Sequence, residues 1–490
     1  MQKQNTKAVK ISDIVKVNME IIDEKFKDCP DLIKKQIFLT DNTEAYFLYI
    51  EGLTNTDLIQ RDFMKPVLSM DYEAINHKNK VNNIPADGIK YNEDMDSVIN
   101  NVLAGDTVLL VDGIEYAISV SMKKYEKRSI DEPEVEKNVR GAHEGFIELM
   151  NVNMAILRRK IKNSNLKFKS IKVGETTNQI VNIAYIDGIA DPAIVNKLYN
   201  KISGIDFDGI LSAGYIEQMI VDFPNSIFPQ YQATERPDRA TSALLDGKLV
   251  VLTEGTPVVL MVPVTLFSFF KAPDDYSTHW VFGSLLGILR IASAIIAIYL
   301  PSVYIALTTF HYYMVPFNLL IPLAESRARV PFPPIMEAFI MEIVIEMLRE
   351  AAIRLPTYIG SSIGVVGGII IGQAAVQAGI VSELLIIVVA ITAIASFITP
   401  SYDIGLALRT IRFLMMIATA VFGVIGIATI TILILSNLVI LESLEQPYFQ
   451  PIIPFRPQNL KDTIIRAPLK FLKNRPTSNR PMDKKRGKKQ

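Results

Sequence analysis

The sequence predicts an α/β cytoplasmic region of two subdomains followed by an α-helical multi-span membrane domain. The first observation behind this prediction is that no lysine occurs in the 189 residues between Lys271 and Lys461, although lysine is common elsewhere. A bilayer explains the gap, because an ammonium group at its centre costs about 3 kcal/mol or more. The second observation is that short β-rich runs alternate with helical patterns before residue 271. The 490 residues therefore divide into a soluble part and a membrane part.

The soluble part is predicted to contain an N-terminal α/β subdomain over 1–130, a helical connector over 131–165 and a second α/β subdomain over 166–270. The connector stands out because Glu134–Lys162 has a helical pattern crowded with arginine and glutamate. Short runs rich in β-branched and aromatic residues define the strands. The clearest predicted strands are Ala45–Ile50, Thr107–Val111, Ile180–Ile186, Leu249–Leu252 and Pro257–Val264.

A faint internal repeat indicates that the two subdomains are related. Phe47–Leu53 recurs as Ile183–Ile189, each a strand that ends in an acidic residue and a glycine before a helical stretch. An Asp-Gly dipeptide follows in each half, at Asp112 and Asp246, and predicts a β-hairpin turn. Both duplication and chance account for a repeat this short, because strand, Asp-Gly and helix often succeed one another.

The membrane domain is predicted to extend over 280–445, and a basic tail over 446–490 follows it. A span of about 20 apolar residues crosses a hydrocarbon core of about 30 Å. The short apolar run Val315–Ala324 is left open, since it is too short to be assigned as a span. The predicted elements are four spans over 281–307, 361–380, 384–399 and 413–440, together with an amphipathic helix over 335–355.

Charge sets the predicted orientation. The N-terminus is polar without an apolar signal-peptide core, so the soluble half is expected in the cytoplasm. Residues 461–490 contain eleven Lys/Arg and two Asp/Glu, which also places the tail in the cytoplasm and requires an even number of spans. Arg409 and Arg412 conflict with this topology, because a four-span arrangement places their predicted loop outside. The tail has the larger charge, and we favour four spans.

Glycines at a helical spacing mark one predicted span. Four of them recur every fourth residue and form a smooth ridge, which promotes close helix association in lipid. Packing within the subunit and packing between subunits or beside a pore are both consistent with the ridge. The ridge comprises Gly360, Gly364, Gly368 and Gly372.

A charged stripe lies on the predicted amphipathic helix. Glu342, Glu346, Glu350 and Arg354 follow one another at a spacing of four residues. One interpretation is an interfacial helix whose charged face meets headgroups or water. The other is an acidic vestibule that concentrates cations at a pore mouth. Arg290 lies within the first span, so it must face protein or water, and it is a further candidate for the ion path; a structural ion pair, with one of these glutamates as a candidate partner, is favoured over a gating role.

Catalytic and cofactor signatures are missing from the sequence. It has one cysteine, Cys29, and four scattered histidines, which argues against a disulfide framework and a His/Cys metal site. No phosphate-binding Gly-rich loop, nucleophile elbow or H-E-x-x-H occurs. We therefore expect no enzymatic activity, no cofactor and no metal. The basic tail is expected to contact anionic lipid rather than nucleic acid.

Several short motifs occur across the membrane part: Pro331–Pro334, Glu346–Ala351, Arg354–Pro356, Gly364–Gly367, Gly372–Ala375, Thr392–Ser396 and Gln446–Tyr448. Together they resemble the A subunits of GerA-type spore germination receptors. In the soluble part, the family's connector motif is matched by Glu132, Pro133, Arg140, Gly141, Gly145, Phe146, Glu148, Asn153, Arg158 and Arg159. Two departures are Ala142, where the family has proline, and Lys160, where it has a third arginine.

The resemblance implies a location and partners. Such proteins lie in the inner membrane of an endospore with a two-part cytoplasmic domain, and they assemble with a transporter-like B subunit and a lipoprotein C subunit. The A subunit is expected to form a homo-oligomer and a cation channel that opens when a nutrient germinant binds. The alternatives are a non-conducting signalling or scaffold subunit and an A-like protein of the dipicolinate-release machinery. A substrate transporter and a small-molecule binding module are less well supported, since the spans lack inverted symmetry and no polar cluster is visible.

Overall fold

The computed structural model describes residues 9–82, 84–86, 88–123, 136, 140–354, 372–463 and 465–487. Two five-stranded antiparallel sheets form the N-terminal half, and helices form most of the C-terminal half. The predicted ridge residues Gly360, Gly364 and Gly368, and the connector residues Glu132 and Pro133, lie outside the described residues.

The first subdomain is a sheet covered on both faces. Leu48 and Leu110 pack against helices α1 and α2 on one face, whereas Phe47 and Leu109 pack against short helical turns over 56–81 on the other. Successive residues of a strand point to opposite faces. Because both faces of this sheet are covered, the strands that contain Leu48 and Leu110 have apolar residues at successive positions. The strand order is β1-β2-β4-β5-β3. Its elements are α1 (Val15–Lys25), β1 (Leu32–Phe38), β2 (Glu44–Ile50), β3 (Lys90–Asn92), α2 (Met95–Leu103), β4 (Asp106–Val111) and β5 (Ala117–Ser121).

The second subdomain repeats this topology. Its strand order, β6-β7-β9-β10-β8, is the first order with each number raised by five. The two halves of the sequence repeat occupy the equivalent strands β2 and β7. Helices α4 and α5 cover one face, and α3 and α6 cover the other. Its elements are α3 (Met150–Lys160), β6 (Leu166–Val173), β7 (Gln179–Ile186), α4 (Pro192–Ser203), α5 (Ala213–Ile220), β8 (Gln232–Thr234), α6 (Pro237–Leu245), β9 (Leu249–Thr253) and β10 (Val259–Val262).

Two local predictions in the soluble part are wrong. Asp112-Gly113 does join β4 to β5, but Asp246-Gly247 ends helix α6 instead of forming a hairpin. Among its described residues, the connector is helical only over α3, and residues 140–149 that precede it are irregular. Their backbone groups bond to the second subdomain: the Phe146 amide donates to the Glu235 carbonyl (2.8 Å), and Arg236 donates to the Ala142 carbonyl (2.8 Å). These partners replace the bonds that a helix would supply.

The C-terminal half contains six helices of eleven residues or more among the described residues. By length and composition, α7 and α11 are able to cross a bilayer, while α10 and α12 are apolar but shorter. The number of crossings stays a prediction. The helices are α7 (Trp280–Thr309), α8 (Phe317–Arg327), α9 (Pro334–Arg354), α10 (Glu383–Phe397), α11 (Tyr402–Phe422) and α12 (Val424–Ile440).

The prediction of one continuous last span over 413–440 is wrong. Helix α11 ends at Phe422 and α12 begins at Val424, because Gly423 adopts φ +60°, a left-handed conformation that breaks a helix. Helix α11 also begins at Tyr402, eleven residues before the predicted span. Arg409 and Arg412 therefore lie within a helix and not in a loop, which removes their conflict with the predicted topology.

The junction of the two halves shares one hydrophobic core. Phe228 and Phe269 of the soluble part pack with Ala294 of α7, Ile404 of α11 and the buried Tyr448. The chain then returns along the second subdomain, where Arg475 donates to the Leu245 carbonyl (2.8 Å) and Arg486 pairs with Asp246 (2.5 Å). Parts of the basic tail thus lie against the second subdomain, and the contact of the tail with anionic lipid stays a prediction.

The turn between α11 and α12 generates a first prediction. A Cβ at Gly426 would overlap the carbonyl oxygen of Ala418, so Gly426→Ala is expected to destabilise the protein by about 1–3 kcal/mol. The matched control is Gly405→Ala, since a Cβ at Gly405 meets nothing within 4 Å and alanine favours the helix. The measurements are the amount of each variant in membranes and its apparent Tm in detergent. Equal Tm losses for the two variants would contradict the prediction.

Candidate functional site

A cluster of buried ion pairs joins helices α9 and α11. Arg412 Nη1 lies 3.1 Å from Glu342 Oε2, and both side chains are 1% exposed. Arg412 Nη2 reaches Glu346 Oε1 at 3.3 Å, and Arg409 Nη1 reaches Glu346 Oε2 at 3.1 Å. Arg349 donates to the same Glu346 carboxylate at 2.8 Å. The cluster therefore holds three guanidinium groups and two carboxylates.

Helical spacing explains how these five side chains meet. Glu342 and Glu346 are four residues apart on α9, and Arg409 and Arg412 are three apart on α11, so each pair lies on one helix face. Arg349 extends the cluster to α10, where its second Nη donates to Ser396 Oγ (2.7 Å). The cluster thus contacts three helices of the membrane part.

The predicted glutamate stripe is divided by its partners. Glu342 and Glu346 face arginines inside the protein and do not line an open acidic vestibule in the single chain. In the described part of the chain Glu350 pairs only with Arg354 one turn further along, and both side chains are more than half exposed. The Glu342–Arg412 contact lacks directed hydrogen bonds, since neither carboxylate oxygen of Glu342 has a hydrogen-bond partner in the described structure. Without directed hydrogen bonds, the attraction between the two charges offsets less of the desolvation cost of burying them.

Arg290 pairs with a different acid from the one predicted. Its two Nη atoms donate to the two Asp275 oxygens at 2.6 and 2.8 Å, and Nη1 also reaches the Phe270 carbonyl at 3.2 Å. The prediction of a partner among the α9 glutamates is therefore wrong. Ten residues of helix, about 15 Å, separate Arg290 from Trp280. The first turns of α7 consequently lie beside the polypeptide that precedes the helix.

The connector residues hold the two soluble subdomains together. Arg158, fully buried, donates Nε and Nη2 to the two Asp31 oxygens at 2.7 and 3.0 Å, and Nη1 to the Leu166 carbonyl at 2.8 Å. Asp31 precedes β1 and Leu166 begins β6, so one guanidinium links both subdomains. Asn153 bonds both ways to the backbone of Ile147, at 2.9 and 2.5 Å, and fixes the irregular segment before α3.

The other connector residues line the same joint. Arg159 and Lys160 both pair with Glu144, and Lys160 keeps the charge that the family's third arginine would supply. The Arg140 amide donates to Asp274 (3.3 Å) in the segment that leads into α7, and the Glu148 carbonyl accepts from Gly255 (3.0 Å). Gly141 and Gly145 lie in the irregular segment, and Phe146 beside them is buried.

A groove of about 620 Å³ separates helix α5 of the soluble part from the start of α11. Glu217 of α5 and Asp403 of α11 both line it. Burial, and secondly the Asp403 carboxylate, raise the pKa of Glu217 to about 7. Glu217 of the second subdomain therefore lies across the groove from the start of α11.

Sequence reasoning missed several residues of these sites. Arg409 and Arg412 were assigned to a loop, although Ile404, Leu408 and Ile411 already show the apolar spacing of a helix that includes them. Asp31 and Asp275 are separated from their arginines by 127 and 15 residues. A single sequence contains no pattern that pairs residues so far apart. Within the described ranges, no three His, Cys, Asp or Glu side chains are grouped as metal ligands would be.

Comparison with known proteins decides the family. A family model described as Bacillus/Clostridium GerA spore germination protein matches residues 20–478. Spore germination protein B1 of Bacillus subtilis (strain 168) is 40% identical, over 94% of this chain and 99% of that protein. The chain belongs to the GerA family of spore germination proteins. The membership predicted from the motifs is confirmed.

Other GerA-family relatives match over similar lengths. Spore germination protein KA of Bacillus subtilis (strain 168) is 36% identical, over 99% of this chain and 90% of that protein. Among solved structures, the N-terminal domain of the A subunit of the Bacillus megaterium spore germinant receptor GerK3 is 28% identical, with a TM-score of 0.41. The match covers 52% of this chain and 97% of that domain.

The connector of this GerA-family chain generates a second prediction. Arg158→Met leaves Asp31 buried without its partner and is expected to cost about 3–5 kcal/mol of unfolding free energy. Arg159→Met is the matched control, since Arg159 is about one-third exposed and its pair is worth about 1 kcal/mol or less. Denaturant unfolding of the purified chain measures both.

A double variant separates charge from packing. Arg158→Met with Asp31→Leu removes both charges and is expected to recover much of the loss, because no buried charge remains unpaired. A double variant less stable than Arg158→Met would show that the ion pair is not the cause.

The groove generates a third prediction, on pH. The folded-state pKa of Glu217, about 7, lies above the ordinary value of 4.5, so ionisation favours the unfolded chain as pH rises from about 4.5 to 7. Glu217→Gln is therefore expected to raise stability at pH 8, by roughly 1–2 kcal/mol given its partial exposure, and to change little at pH 4. Apparent Tm at the two pH values is the measurement, with the exposed Glu20→Gln as control. An equal gain at both pH values would contradict the assignment.

Proposed function

We propose that this chain is the A subunit of a nutrient germinant receptor in the spore inner membrane, and that it oligomerises into a germinant-gated cation channel. The observation that carries the proposal is the ion-pair cluster of Glu342, Glu346, Arg349, Arg409 and Arg412 between apolar helices. Ionisable groups among membrane helices are costly and characteristic of ion paths. Membership of the spore germination family over residues 20–478 supports the physiological setting.

The cluster is proposed to be the closed form of the ion path. In the single chain the arginines neutralise both carboxylates, so a cation finds no free negative charge there. Separation of α9 from α11 would release Glu342 and Glu346 toward the space between helices, where carboxylates favour cations. The Glu342–Arg412 pair lacks directed hydrogen bonds, and both side chains are buried, so its separation requires water or new partners for both charges.

The junction supplies a route from the soluble part to the cluster. Helix α11 contains Arg409 and Arg412, and its first turn lies across the groove from α5. Arg290 couples α7 to the segment after the second subdomain through Asp275. A shift of the second subdomain would therefore move α7 and α11 directly, as in a rigid-body gating transition.

Partners and location follow from the same proposal. A transporter-like B subunit and a lipoprotein C subunit would complete the receptor, and the N-terminal half and basic tail would face the cytoplasm, with the tail's exposed lysines near anionic lipid. The glycine ridge would be the homo-oligomer face. Its one described member, Gly372, has no described residue within 4 Å of the position of a Cβ, which is compatible with this role. The proposed role is non-catalytic.

The fourth prediction tests the ion path. Spores in which Glu346→Gln replaces the wild-type chain are expected to release cations at least about tenfold more slowly after germinant addition, a barrier change of about 1.4 kcal/mol. The substitution removes the carboxylate that three arginines share. Glu350→Gln is the matched control one turn along the same helix, and is expected to behave as wild type because Glu350 is exposed.

Immunoblots for this chain and its partner subunits show whether each variant assembles, and potassium release with time is the readout. Slow release with normal assembly supports a path through the cluster. Normal release from Glu346→Gln spores would contradict it and favour the non-conducting scaffold. The complete pairing of Glu342 and Glu346 is the observation that favours that second function, since a purely structural cluster would look the same.

A further inference from the structure

A polar cavity of about 360 Å³ lies where three parts of the chain meet. Helix α6 and the start of β9 form one wall, the segment 265–277 before α7 forms the second, and the tail beyond residue 450 forms the third. Its size falls within the range of small-ligand sites. It is separate from the groove beside Glu217 and from the α9–α11 cluster, and the proposed channel function makes no use of it.

The charges around this cavity do not balance. Asp462 pairs with Lys271 at 2.9 Å, and Asp246 pairs with Arg486 at 2.5 Å, so both carboxylates are neutralised. Lys248 lines the same cavity, and its ammonium makes no hydrogen bond or close ion pair with the residues that the structure describes. Burial, and secondly the neighbouring Lys271, lower the pKa of Lys248 to about 8, and the more distant Asp246 offsets this only in part.

Gln450 provides an independent indication of a ligand. Its side chain is 1% exposed and lines the cavity, yet neither its amide oxygen nor its amide nitrogen has a hydrogen-bond partner in the described part of the chain. An unsatisfied buried polar group costs about 1–3 kcal/mol. A ligand that accepts a hydrogen bond from the Gln450 amide would recover that cost.

We infer that this cavity binds a phosphate-bearing polar ligand, with Lys248 opposite the phosphate charge and the Gln450 amide as a hydrogen-bond donor. Lysine binds phosphate as a point charge. The cavity is larger than a bare phosphate, and Ser242, Thr265, Asn459 and Asn474 line the remainder with groups suited to a hydroxylated body. Since Lys271 and Tyr276 lie just before the first membrane helix, both a phospholipid headgroup and a free organic phosphate have access by position.

The fifth prediction uses the full-length chain purified in a neutral maltoside detergent. Glycerol 3-phosphate, titrated by calorimetry, is expected to bind saturably, and Lys248→Gln and Gln450→Glu are each expected to raise Kd at least about tenfold. Lys248→Arg retains the charge and is expected to bind. Lys470→Gln removes an exposed tail lysine outside the cavity and is expected to leave Kd unchanged. Tm without ligand identifies variants that misfold.

A second arm distinguishes the two sources of phosphate. The chain is placed in nanodiscs of phosphatidylcholine with or without phosphatidylglycerol, and Tm is compared for wild type and Lys248→Gln. A phosphatidylglycerol-dependent gain that Lys248→Gln abolishes assigns the ligand to lipid, whereas binding of glycerol 3-phosphate alone assigns it to a free phosphate; both support the inference. Absence of binding in both arms, or equal binding by Lys248→Gln and Gln450→Glu, would overturn it. Neither result bears on cation release through α9 and α11.

Discussion

A guanidinium buried in protein must meet a carboxylate, and this requirement sets the three joints of the molecule. Arg158 joins the first subdomain to the second through Asp31, Arg290 joins the soluble part to the first membrane helix through Asp275, and Arg412 joins α11 to α9 through Glu342. None of the three arginines is more than 8% exposed. Loss of Asp31 or Asp275 would leave a buried guanidinium without its carboxylate, whereas Arg412 would keep Glu346 as a second partner.

These joints form a series from the soluble subdomains to the membrane helices. The repeated sheets supply two rigid bodies, because each sheet is covered on both faces and has little freedom to deform. Arg158 couples the two subdomains. The shared core around Phe269 and Tyr448 packs the second subdomain against α7 and α11. The second subdomain and helices α7 and α11 therefore share one core, and α11 contributes Arg409 and Arg412 to the ionic cluster.

The basic tail shows how one charge pattern can have a structural use. A polybasic segment beside a membrane ordinarily indicates anionic lipid. Here Arg475 Nε and Arg486 bond to the second subdomain, and the tail forms one wall of the cavity that contains Lys248 and Gln450. The local composition predicts that the basic tail attracts anions. The fold determines which of its arginines already bond to the protein.

The sequence by itself determined the α/β region, the bounds of its main strands, helices α7 and α9, and the family, because apolar periodicity and motif spacing are local properties. It also placed Glu342 and Glu346 on one helix face. Only the tertiary structure decided their partners: Arg409 and Arg412 meet them across 63 and 66 residues. The break at Gly423 was likewise invisible, since glycine is compatible with both a helix and a turn and only packing selects its positive φ. Which distant residues pair depends on how the helices and strands pack together, and the pattern of a single sequence does not specify that packing.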